Sequence, residues 1–139
     1  MRFFSRLSEG PVMSSWASDA VAGEDAGCVL DFDGTIRNHS RGREVLFIDY
    51  EAFPEMVLSE CSRIAAEIFA QFDILRIGME HAVGRVRPGE TAVLLAVASV
   101  HRKAAYSASL AFMQELKARA PLWKHEHYPD GTQWVGQGS

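Results

Sequence analysis

Three groups of side chains in this sequence are equipped to do chemistry. Asp31-Phe32-Asp33-Gly34-Thr35 places two aspartates one residue apart ahead of Gly-Thr. That arrangement suits phosphoryl transfer, with one carboxylate as nucleophile, the other as general acid/base, and both helping to hold magnesium. Cations gather in three places: Arg37, His39, Arg41 and Arg43; His101, Arg102 and Lys103; and Lys117, Arg119, Lys124, His125 and His127. Such clusters suit an anionic ligand, and Arg in particular offers phosphate a forked donor. His125 and His127 stand two apart with no clear third ligand, so exposed or packed histidines are the simpler reading than a metal site.

The elements that must position these groups follow from pattern. GCVLDFDGTI reads as a strand running into the polar loop RNHSRGRE, and EVLFIDYEAF as a second strand. Pro54 opens a helix to about Phe72, with Val57, Cys61, Ile64, Ile68 and Phe72 on its buried face. DILRIGMEHAVGRV and TAVLLAVASV are two strands joined at Arg87-Pro88-Gly89-Glu90, where Pro then Gly favours a type II turn. The second of them is almost wholly apolar and is expected to be central. Another helix runs from about Arg102 to Arg119 and is stopped by Pro121. Leu122–Tyr128 is extended, Gly131 ends it, and residues 133–135 form a last short strand. Residues 11–22 carry a weak signal for a short helix around Trp16. Paired strands alternating with helices argue for an α+β fold.

These elements sharpen the cation groups. His101-Arg102 opens a helix, where free N–H groups and the helix dipole favour an anion, although a solvated helix start explains the same residues. Lys117 continues the helical stripe of Tyr106, Leu110 and Met113. Its ammonium either snorkels to water or is partly desolvated, which makes a Lys a nucleophile or proton acceptor. Past Pro121, strand alternation puts Leu122, Lys124 and Glu126 on one face and Trp123, His125 and His127 on the other. Lys124 and Glu126 can therefore enter one site together.

Composition narrows the classes. With 139 residues, one domain spanning 1–139 is the default, and 47% hydrophobic with 23% charged residues is ordinary for a globular protein. A net charge of −4 gives no support to nucleic-acid binding. No apolar run approaches the roughly 20 residues of a membrane span. Cys28 and Cys61 form no metal or redox spacing, so a cytoplasmic protein with unpaired thiols is expected.

The Asp31–Thr35 stretch matches the DxDGT signature of haloacid-dehalogenase-like phosphatases, but its context fails. The central strand ends Ser99-Val100-His101-Arg102 with no acid, and Glu55, Glu60, Glu67 and Glu115 fall on helices. The chain is also too short and too hairpin-rich for repeated βαβ units. A broader resemblance covers most of the sequence. GTIRNHSRG, DYEAFPEM, HAVGRVRPGE, ASVHRKAAY, LKARAPLWKHE and a closing WV occur in order from about residue 27 to 135. Together they resemble the large, catalytic subunit of molybdopterin synthase. Within the first stretch Phe32, Gly34, Arg37 and Asn38 carry the likeness and the aspartates are incidental. Residues 1–26 match little of it.

The resemblance implies an α+β fold of the α/β-hammerhead type, with a mixed, mainly antiparallel sheet, two main helices and a homodimer. It implies a sulfurtransferase of molybdenum cofactor biosynthesis. A small ubiquitin-like carrier, completing a heterotetramer, threads a Gly-Gly tail ending in a thiocarboxylate into the pocket. Two sulfurs, one per carrier, pass to cyclic pyranopterin monophosphate to make the dithiolene of molybdopterin. By resemblance Lys117 and Lys124 are catalytic. Arg37, His101 and Arg102 are substrate-anion positions, and Thr35, Ile36, His125 and Glu126 line the pocket. No metal or cofactor is implied. Asp31 and Asp33 stand where the family has neutral residues and are expected to face away or to pair with an Arg such as Arg43. The competing reading is a non-catalytic module that docks a ubiquitin-like partner; the presence of both lysines weighs against it.

Overall fold

The spine of the fold is β6 (Arg76–Val86), the longest strand of the computed structural model, which describes residues 2–135. Antiparallel β7 (Thr91–Ser99) follows one edge of β6 from Arg76↔Ala98 to His81↔Val93. β1 (Phe3–Glu9) runs parallel along the other edge, from Phe3↔Ile77 to Glu9↔Val83. Beyond Val83 that second edge passes to β5 (Phe47–Ala52), with Tyr50 opposite Gly84 and Ile48 opposite Val86. β5 leads on to β8 (Leu122–Tyr128) and β9 (Gly131–Val135), and β2 (Cys28–Thr35) closes the far side against β7. The order is β2-β7-β6-β5-β8-β9, with β1 as the extra neighbour of β6 and, among the described residues, the only parallel pairing.

β7 does not stay with β6 to the end. Their ladder stops at His81↔Val93, the start of β7 remains with β2 at Thr35↔Thr91, and the tail of β6 goes with β5. The sheet therefore forks. The connection across the fork is the expected type II turn: Glu90 N–H donates to the Arg87 carbonyl at 3.0 Å, and Gly89 takes φ +85°.

α2 (Pro54–Gln71) and α3 (Arg102–Arg119) pack on one face of the sheet and against each other. Pro54 opens α2 at its first position, where no N–H is missed, and Pro121 forces Ala120 into extended backbone beyond α3. Val57, Cys61, Ile64 and Ile68 meet Ile77, Met79, Leu95, Val97 and Phe112 in the main core. Full burial of each Val or Ile is worth roughly 1.5–3 kcal/mol. Arg119 ties the end of α3 to α2 through Glu60 and Glu67, each at 2.8 Å. The opposite face carries α1 (Trp16–Val21), whose Ala17 and Val21 rest on Ala96 and Ala98. β7 is covered on both faces, which is why it reads as an unbroken apolar run.

Two elements lie outside the sequence reading. β1 was not expected, and the polar loop contains a small hairpin of β3 (His39–Ser40) and β4 (Arg43–Glu44). The strand expected from Glu44 begins at Phe47.

Candidate active site

The fork opens a cavity of about 670 Å³. β2 supplies Phe32 and Thr35 to its wall, β5 Ile48 and Tyr50, β6 His81, and β8 Leu122, Lys124 and Glu126. The last turns of α3 add Met113, Leu116 and Lys117, and the β3–β4 hairpin adds His39, Ser40 and Arg41. Ile36 and Arg37 complete it from the strand exit, where Ile36 N–H donates to the Glu90 carbonyl at 3.0 Å.

The cations converge here. Lys117 sits at the end of an apolar helical row made by Met113 and Leu116, which anchors the helix beneath it. Lys124 is half-buried, and burial is the main cause that depresses its pKa below the usual lysine value. Glu126 favours the charged ammonium, while the nearby charges of Lys117, Arg37 and Arg41 oppose it. Glu126 is buried and accepts a hydrogen bond from the Tyr128 hydroxyl at 2.7 Å. The Tyr50 hydroxyl is pushed up to about 12 by burial and by Glu126, so it stays protonated and can donate. His81 is buried, edge-on to Tyr50, with Nδ1 2.8 Å from the Ala82 carbonyl. A carbonyl only accepts, so the proton sits on Nδ1, and burial lowers the ring pKa to about 4. The site therefore pairs a neutral imidazole and a neutral phenol with four cations and one buried carboxyl.

Of the expected site residues, Thr35, Ile36, Arg37, Lys117, Lys124 and Glu126 line this one cavity. His125, His101 and Arg102 do not. Strand alternation turns His125 to the other face of β8, where it stacks on Trp134 at 4.2 Å. His127 shares that face, stacked on Phe47 at 4.2 Å with Nε2 3.0 Å from Asp49 Oδ2. His101 and Arg102 open α3, and at 1.5 Å per residue they lie about 22–24 Å from Lys117 along the helix. Tyr50 and His81 went unassigned in the sequence, and Arg41 was named only as a member of a cation cluster. The one signal for His81 was a histidine in the mainly apolar middle of a strand, next to Glu80.

The two aspartates expected to face away or to pair with an Arg divide: Asp33 lines the cavity and Asp31 does not. Asp31 accepts from Ser18 Oγ of α1 at 2.7 Å and Asp33 from Thr91 Oγ1 at 2.7 Å. Arg43 pairs with neither; it bonds Asp130 at 2.7 Å. Among the described residues no three His, Cys, Asp or Glu side chains gather as a metal site would require. The Cys61 thiol is pushed up to about 12 by burial in the core, away from the cavity.

Comparison with known proteins gives this geometry a family. The family model described as "MoaE protein" matches residues 7–119. The chain belongs to the MoaE family. Its relatives include the molybdopterin synthase catalytic subunit of Halalkalibacterium halodurans, 34% identical over 94% of this chain and 83% of that one. The corresponding Pseudomonas aeruginosa subunit is 40% identical over 78% of this chain and 73% of that one. Among solved structures, molybdopterin synthase from Staphylococcus aureus superposes with a TM-score of 0.85 at 28% identity, covering 98% of this chain and 96% of that one. A Helicobacter pylori complex of subunits 1 and 2 of molybdopterin-converting factor shares the fold, at TM-score 0.77 and 15% identity over 97% and 92%. The MoaE match begins inside β1 and ends with α3, so it takes in the cavity walls from β2, β5, β6 and α3, while Lys124 and Glu126 on β8 lie beyond it.

Proposed function

We infer that this chain is the catalytic subunit of a molybdopterin synthase, a sulfurtransferase of molybdenum cofactor biosynthesis. The observation that carries the reading is the meeting of Lys117, Lys124 and Arg37 with Glu126 in one cavity of a MoaE-family chain. The partner is a small carrier whose C-terminal thiocarboxylate supplies sulfur, and the acceptor is cyclic pyranopterin monophosphate. Both are anions, and the cavity's cations suit both. Each transfer breaks the tail's C–S bond, and water supplies the oxygen that leaves a carboxylate on the carrier. The lysines stabilise the oxyanion that develops at the tail and move protons at the pterin side chain. Lys124 is suited to the proton role because burial lowers its pKa toward the working range. Neither cysteine lines the cavity, so the sulfur comes from the carrier.

The reading includes a homodimer. His101 and Arg102, expected at the substrate anion, are too far along α3 to join Lys117 of the same chain. α3 packs beside β2, and exposed apolar side chains mark that side: Phe32 on β2, Tyr106 and Leu110 on α3. A second copy seated there covers them and brings its own helix start to the first copy's cavity. The decisive experiment is incubation of the purified chain with thiocarboxylated carrier and cyclic pyranopterin monophosphate. Dithiolene product is expected; a folded chain that docks carrier and forms none overturns the reading.

A further inference from the structure

The β3–β4 hairpin overhanging the cavity contains a residue that turn chemistry does not explain. Its loop is Arg41-Gly42, flanked by the Ser40↔Arg43 pair. Both loop residues have positive φ, +54° at Arg41 and +75° at Gly42, which is the type I′ turn of a tight hairpin. That turn selects Asn, Asp or Gly at its first position, because a larger side chain is strained there. Among the described residues Arg41 is the only non-glycine with positive φ. It also lines the cavity, and its charge acts on Lys124 and on Tyr128.

The hairpin beneath it is firmly seated. Arg43 stacks over Tyr128 at 3.8 Å while bonding Asp130, and Tyr128 in turn donates to Glu126 on the cavity floor. Val45 N–H donates to the Asn38 carbonyl at 2.9 Å, and Ile36 and Val45 are buried on either side of the hairpin. A strained residue displayed from an anchored support at a cavity is the pattern of a built-in ligand contact. We propose that Arg41 is a substrate-binding residue, held over the cavity by the hairpin to clamp an oxyanion. That oxyanion is either the cyclic phosphate of the pterin or the terminal carboxylate-type group of the carrier's tail. Arg37, Lys117 and Lys124 already line the cavity, and two anionic reactants must occupy it together, so a further cation at the overhang has a partner.

The inference rests on the sulfur-transfer reading, and Arg41→Asn separates the two. Asn suits the turn and removes the charge. The variant is expected to melt no lower than the natural chain, yet to need about tenfold or more of one reactant to reach half-maximal rate, as loss of a charge-assisted hydrogen bond requires. A raised KM for the pterin identifies the phosphate; a raised KM for the thiocarboxylated carrier identifies the tail. Arg41→Lys should fall between, keeping charge without the fork. Unchanged KM for both reactants in Arg41→Asn, or a lower melting temperature, overturns the proposal. A natural chain that makes no dithiolene at all would instead sink the sulfur-transfer reading.

Discussion

At the scale of single residues, the site is a balance between charge and burial. Lys117 reaches the cavity from a helix end and Lys124 from a strand, so neither substitutes geometrically for the other. Lys117→Ala and Lys124→Ala should each slow dithiolene formation by about 10²-fold or more, while carrier docking, spread over a broad surface, persists. Arg at either position should not rescue, because Arg keeps its proton at any working pH. Steady-state rates beside a carrier-binding isotherm check this, and an active Ala variant would remove that lysine from the mechanism. His81 governs a different property. Its folded pKa near 4 lies below the ordinary 6.5, so between those values the unfolded chain binds the extra proton. Stability is therefore complete above pH 6.5 and falls as pH drops toward 4, by on the order of 3 kcal/mol from this group. His81→Asn, which can still donate to the Ala82 carbonyl, should flatten that acid limb in denaturation series run between pH 7 and 4. An unchanged slope would mean that another group sets it.

At the scale of elements, much was legible and the reasons are local. The helical periodicity from Val57 to Ile68, the prolines at 54 and 121, and the Pro88-Gly89 turn each act on their own neighbours, and the bounds of α2, α3, β6 and β7 follow. Alternation along β8 likewise places Lys124 and Glu126 on the cavity face. β1 was not legible. Its residues are almost all half-buried without alternation, and its partner strand β6 is more than sixty positions away in parallel register. The cavity membership of Tyr50 and His81 was hidden for a related reason: it depends on where the sheet forks, a property of three strands at once. The approach of α1 is also an element-scale fact. A Cβ on Gly78 would lie 2.5 Å from the Ala17 carbonyl oxygen. Gly78→Ala should therefore lever α1 off the sheet and destabilise by about 1–3 kcal/mol. Sulfur transfer per folded molecule should be unaltered, since α1 lies on the sheet face away from α3, the helix that borders the cavity. A melting curve and an activity assay on the folded fraction test both halves.

At the scale of the whole molecule, the distance between Arg102 and Lys117 makes the quaternary structure testable through activity. Chains carrying Arg102→Ala and chains carrying Lys117→Ala should each be impaired alone. Mixed and allowed to exchange, half of the symmetric dimers become hybrids with one intact site, so about a quarter of the natural activity should return. No gain over the separate variants, or a monomeric mass in solution, would exclude a shared site. The cation cluster also bears on how the chain assembles. Lys117 and Lys124 stand seven positions apart across Pro121, whereas Arg37 and Arg41 lie more than seventy positions earlier than either. Closing the short loop between α3 and β8 costs little chain entropy, whereas bringing the arginines to the lysines requires the distant pairings of β2 with β7 and β5 with β8. The cation cluster is thus complete only in a chain whose long-range strand pairings have been made.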